Sequence, residues 1–352
     1  MSLSISTPNG KTIKISFKKL LFPLLLFVTV IIILFKFSEL KEIGRLFAQA
    51  KWHWLALAFG SQLLNFLLQG SVYQTTFKIL NFPKFPLLKL IKSSITIIFL
   101  NYIIPSLGIA GNLYFLKILK KHNVKEGKAL MSIIIETTCY YLSFACLLIL
   151  SLIYLFFKLG HIGQMQKNAI GGFILILLLI AFAIYFFLGS KNRARKRVTW
   201  VAEKIDLFED GIRQEERVRE LLNDFYQDFD WLKKNKKKIL LPALLQLTKF
   251  LSDALTIFLI FLAFGSKVSI GLGIAAFVFG RLFGLVSFIP GGLGAFEGSM
   301  VLIFNSLGHP LELALSVILV YRFFSFWLYF PLGVIFYKQL NKDSLVSAAH
   351  AE

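Results

Sequence analysis

Two apolar stretches of this chain echo each other, and each breaks at an Ile-Pro followed by glycines. They are NYIIPSLGIAGNLYFLKIL, from Asn101 to Leu119, and LVSFIPGGLGAFEGSMVLIF, from Leu285 to Phe304. Ser93 to Ile104, ahead of the first break, is 12 residues, about 18 Å of helix against a hydrocarbon core of about 30 Å. After Pro105 and Gly108 the apolar run ends at Lys117, again too short. Lysines stand on both flanks, at 78, 84, 89 and 92 before it and at 117, 120, 121, 125 and 128 after it. The segment therefore enters and leaves on one side, as a re-entrant hairpin. Irregular backbone at membrane depth is tolerated only where protein buries it or where it lines a cavity.

The rest of the chain fits a polytopic membrane protein. It is 57% hydrophobic with 38 Phe, and only 16% of its residues are charged, which no ordinary soluble domain matches. The formal charge of +20 sits in blocks between apolar runs, as positive-inside loops do, so nucleic acid is not the expected partner. Full spans are expected at about 20–35, 54–73, 129–157, 169–188, 240–264 and 312–337. Ala48-Gln49-Ala50 fits a signal-peptide cleavage site but lies far beyond the first apolar run, so that run is read as an uncleaved span. Residues 36–51 carry both signs and suit an interfacial helix.

Residues 190–238 form the one sizeable polar segment. Its Ile205, Phe208, Ile212, Leu222, Phe225, Phe229 and Leu232 recur mostly at three- and four-residue steps. That is an amphipathic helix, either resting on bilayer or protein or running as a solvated linker. No Lys or Arg occurs from Leu282 to Tyr321, so the second break, Pro290 to Gly294, is read as a hairpin entering from the opposite side. The expected fold is all-α: about six full spans plus two re-entrant broken hairpins in inverted topology. It forms a single transmembrane domain over 1–352, with a first half at about 18–189, a cytoplasmic linker at about 190–238 and a second half at about 239–340. Both termini are expected in the cytoplasm and the chain in the inner membrane.

Breaks of this kind carry chemistry. A half-helix that begins at mid-membrane presents free N–H groups and a positive dipole end, which suit phosphate or carboxylate. Candidate positions are Pro105, Ser106, Gly108 and Gly111 in the first hairpin and Pro290, Gly291, Gly292, Gly294 and Glu297 in the second. Glu297 falls in the first turn after Gly294, where it would cap the half-helix or pair with Arg281 or Arg322. Ionisable residues within spans are costly and face a cavity or a partner. Here they are Glu136, Lys249, Asp253, Arg281, Glu297 and Arg322. Lys249 and Asp253 are four apart, so a pair on one helix is the simplest expectation. Arg281 and Arg322 are the expected contacts for an anionic group, because a guanidinium fork matches phosphate. With Glu297 the one acid close by in sequence, they leave about one positive charge to be matched.

No P-loop, GxSxG, paired catalytic carboxylates or metal-binding His motif occurs, and no cofactor is expected. Cys139 and Cys146 lie seven helical residues apart, about 10 Å, too far for a disulfide, and are read as packing residues.

FIPGGLGAFEG, Phe288 to Gly298, resembles the P-G-G-x-G-x-x-E motif of the flippase-like membrane family, the lysylphosphatidylglycerol synthase transmembrane region. The pattern of spans and IPSLGIAGNLYFLKILKKHNV, Ile104 to Val124, are similar too, and the likeness runs from about residue 20 to 340. Many relatives carry Gly-Glu and an Arg after the first break, where this chain has Gly111-Asn112 and Lys117. In the best-known relatives a soluble aminoacyl transferase domain modifies phosphatidylglycerol and the membrane unit moves the product between leaflets. The polar segment of about 49 residues is too small for such a domain, so the resemblance implies the lipid-handling half alone.

The expected function is binding and transbilayer movement of an anionic phospholipid or lipid-linked molecule. The alternatives are an enzyme, or an enzyme's membrane subunit, that transfers a group to a lipid, and a carrier of a small soluble anion. Anionic lipid and the membrane are the expected partners, with a second copy of the chain or a lipid-modifying enzyme left open.

Overall fold

The computed structural model describes residues 2–6, 12–16, 45–104, 109–159, 171, 174, 178, 211–287 and 289–349. The expected spans at about 20–35 and 169–188, and the break at Pro105, Ser106 and Gly108, lie outside the described residues or touch them only at single positions. A short antiparallel hairpin of β1 (Ser2–Ser6) and β2 (Thr12–Ser16) stands at the N-terminus, which the sequence pattern did not suggest. The rest of the described chain is helical: α1 (Trp52–Ile79), α2 (Leu87–Ile103), α3 (Ile109–Lys121), α4 (Glu126–Leu159), α5 (Gly211–Lys234), α6 (Leu240–Ala263), α7 (Ile270–Val286), α8 (Ala295–Ser306), α9 (Leu311–Arg322) and α10 (Tyr329–Ala349). The protein is a polytopic all-α membrane protein. Four helical stretches among the described residues are long and apolar enough to cross: Trp52–Ile79, Glu126–Lys158, Lys236–Ala263 and Leu311–Lys342.

The centre is an antiparallel pair, α1 with α6. Lys51 N donates to Ala263 O at 2.8 Å, Ser61 Oγ to Ser252 O at 3.0 Å, and Asn65 Nδ2 to Lys249 O at 3.1 Å. As numbers rise in α1 they fall in α6. The reason is in the sequence. Ser61, Gln62, Asn65 and Gln69 form one stripe of α1, and Gln246, Lys249, Ser252, Asp253 and Thr256 one stripe of α6; all are buried. Polar side chains in a span turn inward, because lipid offers them no partner. Helix α4 runs parallel to α6, with Ser143 Oγ donating to Ala243 O at 2.9 Å near its middle and Tyr154 Oη 2.6 Å from Ser269 Oγ near its end. Cys139 is buried on this helix, whereas Cys146 is exposed and not a packing residue.

Around this frame sit two hairpins of short helices, opening toward opposite ends of the bundle. Helices α2 and α3, 17 and 13 residues long, reach about 25 and 20 Å. Their outer ends lie together, with the Phe85 and His122 rings 5.2 Å apart. This is the lysine-rich end, where Lys125 pairs with Asp224 at 3.5 Å and Lys128 Nζ donates to Leu80 O at 3.4 Å. Helices α7 and α8, 17 and 12 residues long, begin and end at the other pole. There Ser269 caps α7 by accepting from Leu272 N, and His309 packs on Phe261 of α6 at 5.2 Å. Between α9 and α10 a π-turn, Phe323–Trp327, adds one extra residue to the helical repeat. Its Phe326 ring lies 4.6 Å from Tyr102 near the tip of the first hairpin. A Cβ built on Gly291, at the tip of the second, would strike the same ring. The tips converge on that turn.

Helix α5 is docked on protein: Phe225 and Leu232 are buried in a cluster with Met131, Ile135 and Cys139 of α4. That decides between the readings of its apolar face in favour of packing rather than a solvated linker.

Candidate functional site

The second break is built from glycines that no other residue replaces without strain. Gly291, Gly292 and Gly294 have φ of 65°, 66° and 82°, the left-handed region that L side chains avoid. Gly292 also lies against the backbone of Gly284 on α7, where a Cβ would come within 2.8 Å of the Gly284 Cα. The turn thus folds tightly back and α8 starts inside the bundle.

Glu297 serves two of its expected partners at once. One carboxylate oxygen accepts from the Gly294 backbone N at 2.7 Å and caps α8. The other pairs with Arg322 Nε. Arg322, only 6% exposed, spends its remaining reach on the break itself. Its Nη2 donates to Gly291 O at 2.9 Å, and its guanidinium lies 4.4 Å from the Phe296 ring and 4.9 Å from Phe326. Arg322, Glu297, Gly291 and the two rings form a clasp that holds the break against the π-turn. The N-terminus of α8 is answered by the protein's own carboxylate.

Arg281 is placed differently. It lies two turns before the break on α7, half-buried, 5.6 Å from the Phe277 ring, and its buried Nε has no hydrogen-bond partner. Its electrostatic neighbours are Tyr140, Tyr102, Tyr321 and Asp253. Asp253 accepts from Tyr321 Oη at 3.1 Å, while its second oxygen has no partner. The expected Lys249–Asp253 pair does not form as a contact: Lys249 Nζ lies 5.7 Å from the Phe250 ring, and among the described residues no ion pair joins the two. Backbone geometry puts residues four apart on one face, and Asp253 is the first charged neighbour of Lys249 without touching it. Glu136 on α4 accepts from Gln69 at 3.3 Å.

A polar seam runs between α1, α4, α6, α7 and α9, where Lys249 and Arg281 have Glu136 and Asp253 as electrostatic neighbours; Arg322 on α9 and Glu297 on α8 pair at the break. Lys249, Arg281 and Arg322 are balanced by Glu136, Asp253 and Glu297. The single unmatched positive charge expected from sequence neighbours is not there, because the fold brings Asp253 and Glu136 from other helices. What stays unmatched is hydrogen bonding. Gln62 Oε1, both amide atoms of Gln246, Asp253 Oδ2 and Arg281 Nε are buried without partners, and each such group costs about 1–3 kcal/mol if left so. All but Arg281 come from the stripes on α1 and α6, which were not singled out from the sequence; their helical spacing is the signal that marks them, though it does not show that they face each other.

Gly111 lies away from this seam. Its N donates to Asn101 Oδ1 at 2.8 Å, and a Cβ there would come within 2.5 Å of Ile97 O. It lets the arms α2 and α3 approach.

The arrangement is that of a membrane protein with a polar seam inside an apolar bundle and two broken hairpins meeting at it. The chain belongs to the family described as lysylphosphatidylglycerol synthase TM region, whose pattern matches residues 20–333. It is similar to a UPF0104 membrane protein of Methanothermobacter thermautotrophicus in two segments. One is 26% identical over 162 residues, 45% of this chain and 48% of that protein; the other is 41% identical over 93 residues, 26% and 28%. The longer match thus spans about half the length of that relative. A second UPF0104 membrane protein, from Methanocaldococcus jannaschii, is 25% identical over 87% of this chain and 90% of its own length. A phosphatidylglycerol lysyltransferase of Staphylococcus aureus is 38% identical over 91 residues, 26% of this chain and 11% of that enzyme. Family and relatives agree on a membrane protein related to lipid modification or transport.

Proposed function

We propose that the protein binds the phosphate-bearing headgroup of an anionic phospholipid or lipid-linked molecule in the seam and carries it between leaflets. The carrying observation is Arg281. Arg322 has its guanidinium engaged by Glu297, Gly291 O and two rings, whereas Arg281 keeps a buried donor without an acceptor. Among the sequence candidates this favours Arg281 for the headgroup, and Arg322, Glu297 and the glycines for holding the break. A guanidinium fork suits a phosphate diester, and the unpartnered amides of Gln62 and Gln246 would hydrogen-bond the rest of a polar headgroup. The acyl chains stay in lipid. In this reading the lysine-rich end and both termini face the cytoplasm across the inner membrane, and the chain acts as one transmembrane unit with α5 as its cytoplasmic strut.

Purified protein in phosphatidylcholine vesicles, given fluorescent phosphatidylglycerol or phosphatidylethanolamine, tests this by the fraction of label that changes leaflet. Arg281→Lys should keep the melting temperature and slow movement about 10- to 100-fold, the loss of a charge-assisted bond of about 1.5–3 kcal/mol. Arg281→Gln should abolish it. Movement at the parent rate in folded Arg281→Gln overturns the assignment. The resemblance to the lysyltransferase favours a second reading, the membrane unit of a lipid-modifying enzyme. Under it, purified protein moves unmodified lipids no faster than empty vesicles and acts only on aminoacylated lipid or beside a partner enzyme.

A further inference from the structure

A second cluster of polar and basic groups lies apart from the seam, at the lysine-rich end. Helix α3 places Tyr114, Lys117 and Lys121 on one face at steps of three and four. Across from them, Lys89 in the first turn of α2 and Asn341 on α10 close a small pocket, with His122 at its edge. None of the described residues lining it is acidic. Among the described residues, Glu126 pairs with Lys120 at 2.7 Å and Asp224 with Lys125. Two polar atoms facing this pocket are buried without partners, Tyr114 Oη and His122 Nε2, and Tyr114 is only 4% exposed.

Like charges at i and i+4 repel, and the pocket carries the mark of it. Burial pulls the Lys117 ammonium below its ordinary range, with Lys121 adding to the effect. Burial likewise lowers Lys121. His122 is lowered by burial and then by Lys89, against a backbone hydrogen bond that works the other way. A chain gains nothing from crowding cations around an orphaned phenol unless an anion with acceptor oxygens sits among them. Lysine serves such an anion as a point charge and a tyrosine hydroxyl as a directed donor.

We propose that this pocket between α2, α3 and α10 is a binding site for a phosphate group, held by Lys89 and Lys121 with Tyr114 Oη as donor. It is distinct from the seam at Arg281. The phosphate is that of a lipid headgroup in the adjoining leaflet or of a soluble phosphorylated compound, and both offer the same oxygens. Lying on the arms of the first hairpin and on the helix that follows the π-turn, the site would tie both together when filled.

The test uses the full chain in phosphatidylcholine nanodiscs. In one arm inorganic phosphate, then pyrophosphate, is titrated calorimetrically. In the other, phosphatidylglycerol replaces part of the lipid and retained lipid is counted by native mass spectrometry. Lys89→Gln with Lys121→Gln should abolish binding in whichever arm shows it, and Tyr114→Phe, which removes one oxygen, should weaken it about 5- to 10-fold. The control pair Lys236→Gln with Lys237→Gln, exposed lysines outside the pocket, should change nothing. Binding in the first arm identifies a soluble phosphate, and binding in the second alone a lipid. Unchanged binding in the folded pocket variants overturns the proposal. So does a loss matched by the control pair, which marks general charge attraction, and so does no binding in either arm. Lipid movement in the vesicle assay reads the seam and not this titration, so the two proposals fail separately.

Discussion

The two arginines near the second break differ in what they touch, and that difference has consequences at single residues. Arg322 and Glu297 are a mostly buried pair, with side chains 7% and 20% exposed. Removing one partner of such a pair costs about 3–5 kcal/mol, because the other charge is stranded. Glu297→Gln should therefore lower the melting temperature measured by scanning fluorimetry in detergent, while Arg281→Gln should not. Arg322→Met combined with Glu297→Gln should be less destabilised than the two single changes added together. An unchanged melting temperature in Glu297→Gln would show that the cap alone matters. The glycines divide the same way. Gly292→Ala forces a Cβ toward Gly284 at φ 66° and should cost about 1–3 kcal/mol. Gly298, within α8, has open space around it, so Gly298→Ala should stabilise by about 0.5–1 kcal/mol. Equal effects at the two positions would remove the close-approach account of the break.

At the scale of elements, α5 docks on α4 through Phe225 and Leu232, with Asp224 paired to Lys125. Asp228 on its docked side has a buried oxygen without a partner. Burial holds its carboxyl above the ordinary carboxylate range, with Asp224 adding to that and Lys128 and Lys125 opposing it. A carboxyl raised on folding favours the docked state at low pH, and that contribution is lost as pH rises through the raised value. At neutral pH the ionised group works against docking. Asp228→Asn should then slow proteolysis within α5 at pH 7 and flatten its change between pH 4 and 7. Faster cleavage would mean that the charge helps to hold the helix. The helix itself was legible from its three- and four-residue apolar steps, the first hairpin from arm length between lysines, and the second from a break with no Lys or Arg around it. Partners across helices were not. Tyr321 for Asp253, Gln69 for Glu136 and α6 for the stripe on α1 lie 68, 67 and about 190 residues away, and a stripe fixes a face without naming what meets it. At Lys249 the i, i+4 spacing gave the neighbour, Asp253, but not a direct ion pair.

For the whole molecule, the contacts already order the poles. Lys51 meets Ala263 and Tyr154 meets Ser269 at one end, while Lys125 meets Asp224 and Phe85 meets His122 at the other. The first hairpin opens toward the second of these poles and the other hairpin toward the first, with the tips meeting at Phe326. A bundle of this build carries a headgroup only if its poles face opposite aqueous phases, so that each hairpin guards one entrance to the seam. Single cysteines at Lys121, Lys234 and His309, in a background lacking Cys139 and Cys146, test that arrangement in sealed cells. The first two should react with an impermeant thiol reagent only after the membrane is opened, and the third in intact cells. Reaction of Lys121 and His309 from the same side would place both hairpins on one face. The seam would then have a single entrance, and a lipid could be bound there but not passed across.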